Sequence, residues 1–389
     1  MNNVNKYAIV RVSLVLLGLV PSLLFLFAPR KKKWIVFSSE FNCHFNHSSK
    51  YLFLYFIQHY ADDFNVMYVV NDKEKREELS LKYGDYFIST YTFSGFFKVL
   101  LSYTWITSSI ETPVGGFFLR FRRVIVHLSH GAPLKNVGLS EKYPSLKKSI
   151  YYNIVKYNFS YFFSTSKVFD ENWERCLGIG AKRVLRAGLA RNDVFMSSEA
   201  LKPCIEPRKK VLYAPTWRPF SSTQIFPFSD FDAKVLDAFL KENNLTIYIR
   251  LHPNFEESIE TFLSELSHVE LLTKDDQEDI NEVLPSFDLL ITDYSSIYVD
   301  YLLLDRPIIF LPYDLEHYKS EVGFSLDYDR YTPGPKPICF TDFLSELRRL
   351  LGDADYFDLE RKTTNIQLNP INQNFCQQNA ILIKRLIND

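Results

Sequence analysis

LLITDYSSIYVDYLLLDRPIIFLPYDLEHY, residues 289–318, decides how the rest of the chain is read. Leu289–Thr292 is a short apolar run suited to a buried strand. Asp293, Tyr294, Ser295 and Ser296 form a polar turn that can cap a helix. Residues 297–304 follow as an apolar helical run enclosing Asp300. Arg306 and Pro307 end that helix, and residues 308–311 form a second buried strand. Strand, turn, short helix and strand make a compact βαβ unit, which favours a parallel sheet. The turn lies at the carboxyl end of a strand and the amino end of a helix. Free backbone N–H groups and two hydroxyls there suit a phosphate. The same serines also suit a plain helix cap.

Working outward, the 389 residues allow two domains of ordinary size. Hydrophobic content of 47% and charged content of 23% describe a globular chain. Residues 30–190 carry a net charge of +10 and residues 191–389 a net of −13, so only the front half is suited to an anionic surface. The five cysteines form no CxxC pair and read as reduced thiols. GxGxxG and GxxxxGK[ST] motifs are absent, which leaves nicotinamide and P-loop chemistry without support. Three DxD triplets occur, and none follows an apolar strand. Asp230, in the first of them, is expected to cap a helix.

At the amino end, residues 12–28 are almost wholly apolar and are followed by Arg30, Lys31, Lys32 and Lys33. Residues 1–33 are expected to be a membrane anchor with a basic flank, spanning or re-entrant. The positive-inside rule then puts the remainder on the cytoplasmic side. Residues 34–196 alternate strands and helices as a first doubly wound α/β domain. Residues 197–210, rich in Ser and Pro, are expected to be a linker. Residues 211–389 form a second domain of the same kind. The basic-aromatic stretch FFLRFRR, residues 117–123, could join residues 142–163 as a membrane face or stay a plain surface.

Polar groups recur where apolar strands end: His130, Thr216 with Arg218, His252, and the turn from Asp293 to Ser296. Ligands of open α/β sheets bind at such ends. The ordered motifs HGAPLK (130–135), YAPTWR (213–218), RLHP (250–253), TDYSSIYVDY (292–301), RPIIF (306–310), YDLEHY (313–318), GF (323–324) and PGP (333–335) resemble the CDP-glycerol glycerophosphotransferases, which comprise teichoic acid primases, polymerases and related capsule enzymes. The resemblance runs from about residue 34 to residue 335. Ser129 stands where that family often has Trp, and Ala190 where Pro is common.

The resemblance implies a GT-B-like fold, two Rossmann-type domains facing a cleft. It implies transfer of glycerol phosphate from CDP-glycerol to a hydroxyl of a lipid-linked glycan or polyol-phosphate acceptor, with release of CMP. On that basis His130 is the expected general base and His252 the group that steadies the departing CMP. Thr216, Arg218, Ser295 and Ser296 are expected around the donor phosphates, and Lys135 and Arg250 are expected to bind substrate. Asp300 is expected at the ribose, and Asp293 at the turn itself. No metal ligand set is read from the sequence, and dependence on Mg²⁺ stays open. Nucleic acid is not an expected partner, whereas an anionic membrane surface is, and the oligomeric state is not legible. CDP-ribitol as donor, sugar transfer on the same fold, and a non-catalytic scaffold for the acceptor are the competing readings.

Overall fold

The computed structural model describes residues 15–129, 131–132, 134–196, 208–218, 220–251, 260–263, 265–273, 277 and 279–389. The chain divides into two compact units. Unit 1 comprises Met1–Ala132, Val137–Asp193 and Ile371–Asp389, and unit 2 comprises Pro133–Asn136 and Val194–Pro370.

Unit 1 opens with helix α1, residues 15–24. Its sheet contains β1 (Lys31–Ser38), β2 (Asn65–Val69), β3 (Phe87–Ile88), β4 (Ser102–Thr107), β5 (Val124–His127), β6 (Tyr161–Ser164) and β7 (Val184–Arg186). The helices between them are α2 (His47–His59), α3 (Lys73–Tyr83), α4 (Phe93–Leu101), α5 (Leu146–Val155) and α6 (Lys167–Leu177). The strand order is β3-β2-β1-β4-β5-β6-β7, with parallel pairing throughout. Alternation along β1 feeds two cores. Ile35 and Phe37 pack with Leu52, Phe53 and Phe56 of α2, and Val36 packs with Val99 and Leu100 of α4.

Unit 2 contains β8 (Lys209–Ala214), β9 (Leu245–Ile249), β10 (Val269–Leu271), β11 (Leu289–Thr292) and β12 (Ile308–Phe310), again all parallel, in the order β10-β9-β8-β11-β12. Its helices are α7 (Ala233–Glu242), α8 (Glu260–Leu263), α9 (Ile297–Tyr301), α10 (Leu315–Glu321), α11 (Tyr328–Tyr331), α12 (Phe340–Gly352) and α13 (Asp358–Leu368). A 3₁₀ turn over Leu302–Leu304 prolongs α9. The α/β reading therefore holds for both units, each a doubly wound parallel sheet.

Four expectations need correction. Among the described residues no helix is long and apolar enough to cross a membrane. Instead α1 lies against the loop before β5. A Cβ on Gly18 would sit 1.9 Å from the Gly115 carbonyl oxygen, and Ser22 Oγ accepts the Phe117 N–H at 3.4 Å. The lysines read as the flank of an anchor begin β1, where Lys31 Nζ lies 4.0 Å from the Trp34 ring centroid.

The domain limits also shift. Most of the expected linker lies outside the described residues, and the partition falls at Asp193. The last helix, α14 (Phe375–Asn388), returns to unit 1. Asp193 accepts the N–H groups of Phe375 and Cys376 at 2.7 and 2.8 Å, capping α14, whose Ala380, Ile383 and Ile387 enter the core beside α2. Finally, Asp230 does not cap the helix that follows it. Asp232 caps α7, and Asp230 accepts the Phe340 N–H that opens α12.

Candidate active site

The carboxyl end of the unit 2 sheet is organised by one buried cation. β11 lies between β8 and β12, with Thr292 level with Ala214 on one side and Phe310 on the other. Arg218, four residues past β8, is wholly buried. Its Nη1 donates to Asp293 Oδ2 at 2.7 Å and to the Thr216 carbonyl. Its Nε and Nη2 clasp both oxygens of Asp314 at 2.8 and 2.9 Å. Asp293 Oδ1 accepts the N–H groups of Thr216 and Tyr294 at 2.8 and 2.6 Å. The hydroxyls of Tyr294 and Tyr328 close the network by donating to Asp314 Oδ1 and the Asp293 carbonyl, both at 2.9 Å.

Two carboxylates flank one guanidinium in a setting with little water, so every lone pair must be answered locally. Burial acts to lower the Arg218 pKa, and the bonds to Asp314 and Asp293 outweigh it, raising the net value. Burial first, then Asp314, pushes the Tyr294 hydroxyl far up, so it stays protonated as a donor. The rings of Tyr294, Tyr313 and Tyr318 surround the Arg218 guanidinium at 4.8–5.3 Å.

This lock fixes the turn and leaves its serines available. Ser295 and Ser296 are half-exposed at the start of α9. Among the described residues Ser295 Oγ accepts only the Ile297 N–H, at 3.4 Å, and Ser296 makes no side-chain cap. Thr216 Oγ1 is buried with no hydrogen-bond partner among the described residues. Two half-exposed hydroxyls and one orphaned hydroxyl thus sit around the carboxyl ends of β8 and β11.

The other expected residues are placed as follows. His130 and His252 lie outside the described residues. Lys135 pairs as an antiparallel bridge with Phe324, which stacks on Tyr318 and Tyr328 and so joins the same aromatic group. Arg218 serves the turn rather than an open phosphate cradle, because four of its five donors are committed to protein oxygens. Arg250 donates from Nη1 to the Leu272 and Thr273 carbonyls and from Nη2 to Gln277, which ties down the loop after β10. Asp300 is 2% exposed and presents no open carboxylate for a ribose. Asp293 holds the turn. Among the described residues no cluster of three or more His, Cys, Asp or Glu could hold a metal ion. The two carboxylates at this site are committed to Arg218, which does not fit a magnesium ligand set.

Sequence reasoning missed Asp314, although the YDLEHY motif contains it, because an acid before a helix reads as a cap. It also missed His127 in unit 1. That imidazole sits among Phe159, Phe162 and Trp173 at 5.5–5.6 Å, and its Nδ1 accepts the Ser129 N–H at 3.1 Å. Ser129 has φ 67°, a conformation that costs a β-substituted residue, and its Oγ donates to the Gly131 carbonyl at 2.7 Å. A built turn therefore leads to position 130.

Two doubly wound units with a polar, preorganised strand end define an α/β protein suited to a phosphorylated ligand. The sequence profile of the CDP-glycerol:poly(glycerophosphate) glycerophosphotransferases matches residues 22–379, and the chain belongs to that family. It is 25% identical over 362 residues to the teichoic acid glycerol-phosphate transferase of Staphylococcus aureus (strain NCTC 8325 / PS 47), covering 86% of this chain and 88% of the relative. It is 28% identical over 173 residues to the teichoic acid ribitol-phosphate polymerase TarL of the same strain, covering 42% of this chain but only 30% of that longer relative. In fold it matches the wall teichoic acid polymerase TagF with a TM-score of 0.75 at 21% identity, over 100% of this chain and 98% of that one.

Proposed function

We propose that the protein transfers glycerol phosphate from CDP-glycerol to a hydroxyl of a lipid-linked glycan or polyol-phosphate acceptor, releasing CMP, in teichoic acid or capsule synthesis. The observation that carries this is the pair of half-exposed serines after β11, held by the Arg218 network, in a chain of this family. A variant of the TagF polymerase was itself solved after a CDPG soak, which supports the donor. In this reading the hydroxyls of Ser295 and Ser296 bind the pyrophosphate, with Lys135 and His252 beside them. His130 takes the proton from the attacking hydroxyl. The oxygen attacks phosphorus, the phosphoanhydride bond breaks, and CMP leaves with the electron pair. Phosphoryl transfer of this kind rests on positioning and electrostatics.

The similarity to ribitol-phosphate polymerases favours CDP-ribitol as the second reading. CMP release measured with CDP-glycerol, CDP-ribitol and UDP-sugars, each with a lipid-linked acceptor, decides between them. Turnover of CDP-glycerol is expected. Turnover of a UDP-sugar alone overturns the phosphotransferase reading.

The same reading places the protein on the cytoplasmic face of a membrane, with the basic half toward anionic lipid. Its support is the outer face of α1, where Leu16, Leu17, Val20 and Leu24 are 62–77% exposed. Phe27 and Phe121, in contact at 6.1 Å, extend that face, and Arg120 and Arg122 flank it. Co-sedimentation with anionic vesicles should be lost on replacing Leu16, Leu17, Val20 and Leu24 by Ser. Undiminished binding would refute this placement.

A further inference from the structure

Lys336 has no role in the reading above, and its surroundings give it one. The segment that carries it runs beside β12. Gly334 packs so closely that a Cβ would lie 2.1 Å from the Ile308 carbonyl oxygen, and the Pro335 carbonyl accepts the Phe310 N–H at 3.0 Å. Only glycine fits the first of these positions, which draws the chain along the strand and delivers Lys336 to its carboxyl end.

There the ammonium lies 5.8 Å from the ring centroid of Phe310 and 6.0 Å from that of Tyr328. Phe310 is level with Thr292, the last residue of β11. Tyr328 packs on Tyr294 at 5.5 Å and donates its hydroxyl to the Asp293 carbonyl. One aromatic ring thus separates Lys336 from the turn that carries Ser295 and Ser296.

The ammonium is poorly served by the protein. Among the described residues one of its three donors reaches an acceptor, the Thr332 carbonyl at 3.2 Å. The two ring contacts lie at the outer limit of a useful cation–π distance. Among the described residues no carboxylate pairs with it. Burial lowers its pKa, and Asp329 offsets this only in part. A half-buried cation with spare donors is a net cost to the fold and a ready partner for an anion.

We propose that Lys336, at the carboxyl end of β12 beside the turn, binds the pyrophosphate of the nucleotide donor. This deepens the proposed function and rests on it: the ligand is a cytidine diphosphate ester, and the lysine neutralises charge that grows on the leaving phosphate. Its contribution is electrostatic, so it acts on ligands with phosphates and not on the base.

The test is calorimetric titration of CDP and of cytidine into wild-type protein and the Lys336→Met and Lys336→Arg variants. Methionine keeps the apolar stem on the two rings and removes the charge. Lys336→Met is expected to weaken CDP about tenfold or more, as for a lost charged hydrogen bond, and to leave cytidine unchanged. Lys336→Arg is expected to stay within about threefold of wild type for CDP, since it keeps the charge. The melting temperature of Lys336→Met should match or exceed that of wild type. Equal CDP affinity in Lys336→Met overturns the inference, as does an equal loss for CDP and cytidine, which marks a packing role. Wild-type protein that binds no CDP instead overturns the donor reading on which the inference stands.

Discussion

The two sheets share one strand order about the first strand, and their carboxyl ends are furnished in opposite ways. After β11 in unit 2 the chain is held by charge: Arg218 against Asp293 and Asp314, ringed by tyrosines. After β5 in unit 1 it is held by the His127 imidazole in an aromatic box and by the left-handed Ser129. Around that edge lie uncharged groups, among them Ser38, Ser48, Asn42 and Ser166, each with a buried polar atom lacking a partner among the described residues. Under the proposed function the difference would serve two tasks. A site for a pyrophosphate needs rigid dipoles aimed at fixed charge. A site for a hydroxyl acceptor needs hydrogen-bonding groups and one base of ordinary basicity.

The largest effect should come from breaking the ionic lock. Arg218→Met leaves two buried carboxylates without a cation, and loss of one partner of such a pair costs about 3–5 kcal/mol. Denaturant melts should show that loss, and CDP binding should fall with it. An unchanged melting midpoint would mean that the lock is not needed for the fold. His127→Phe keeps the ring packing and removes the acceptor of the Ser129 N–H. A buried donor left unsatisfied costs about 1–3 kcal/mol. CMP release should slow while CDP affinity holds, and a fall in CDP affinity would erase the division of labour between the units. The smallest effect, and one of opposite sign, is expected for Thr216→Val. Removing a buried hydroxyl that has no partner among the described residues should leave stability unchanged or raise it by about 1 kcal/mol, with CDP affinity held. A destabilised variant would show that Oγ1 is satisfied within the fold.

Much of this comparison is legible in the sequence. Continuous apolar runs are the mark of strands buried on both faces, so β11 is read at its true limits and β12 to within one residue. The turn after β11 is legible because a strand end followed by polar residues and a helical run has few other structures. What escapes is long-range pairing. Arg218 and Asp314 are 96 residues apart, and no periodicity records that a buried cation will meet them both. A basic motif residue at a strand end therefore reads as a ligand when it is a brace. Hydropathy likewise misleads at the amino end. Residues 12–28 read as one apolar span, yet Gly18 and Ser22 mark a face that packs on protein and leaves only the other face apolar to the outside. The return of α14 to unit 1 is invisible for the same reason, since its anchor is Asp193, some 180 residues away.

The central claim is that the serines after β11 hold the donor's phosphates. Titration of CDP into wild-type protein and the Ser295→Ala/Ser296→Ala double variant, with melting temperatures taken alongside, tests it most directly. The account predicts affinity weaker by about tenfold or more in the double variant, with the melting temperature unchanged because neither hydroxyl serves the Arg218 network. Equal CDP affinity in the two proteins would contradict it.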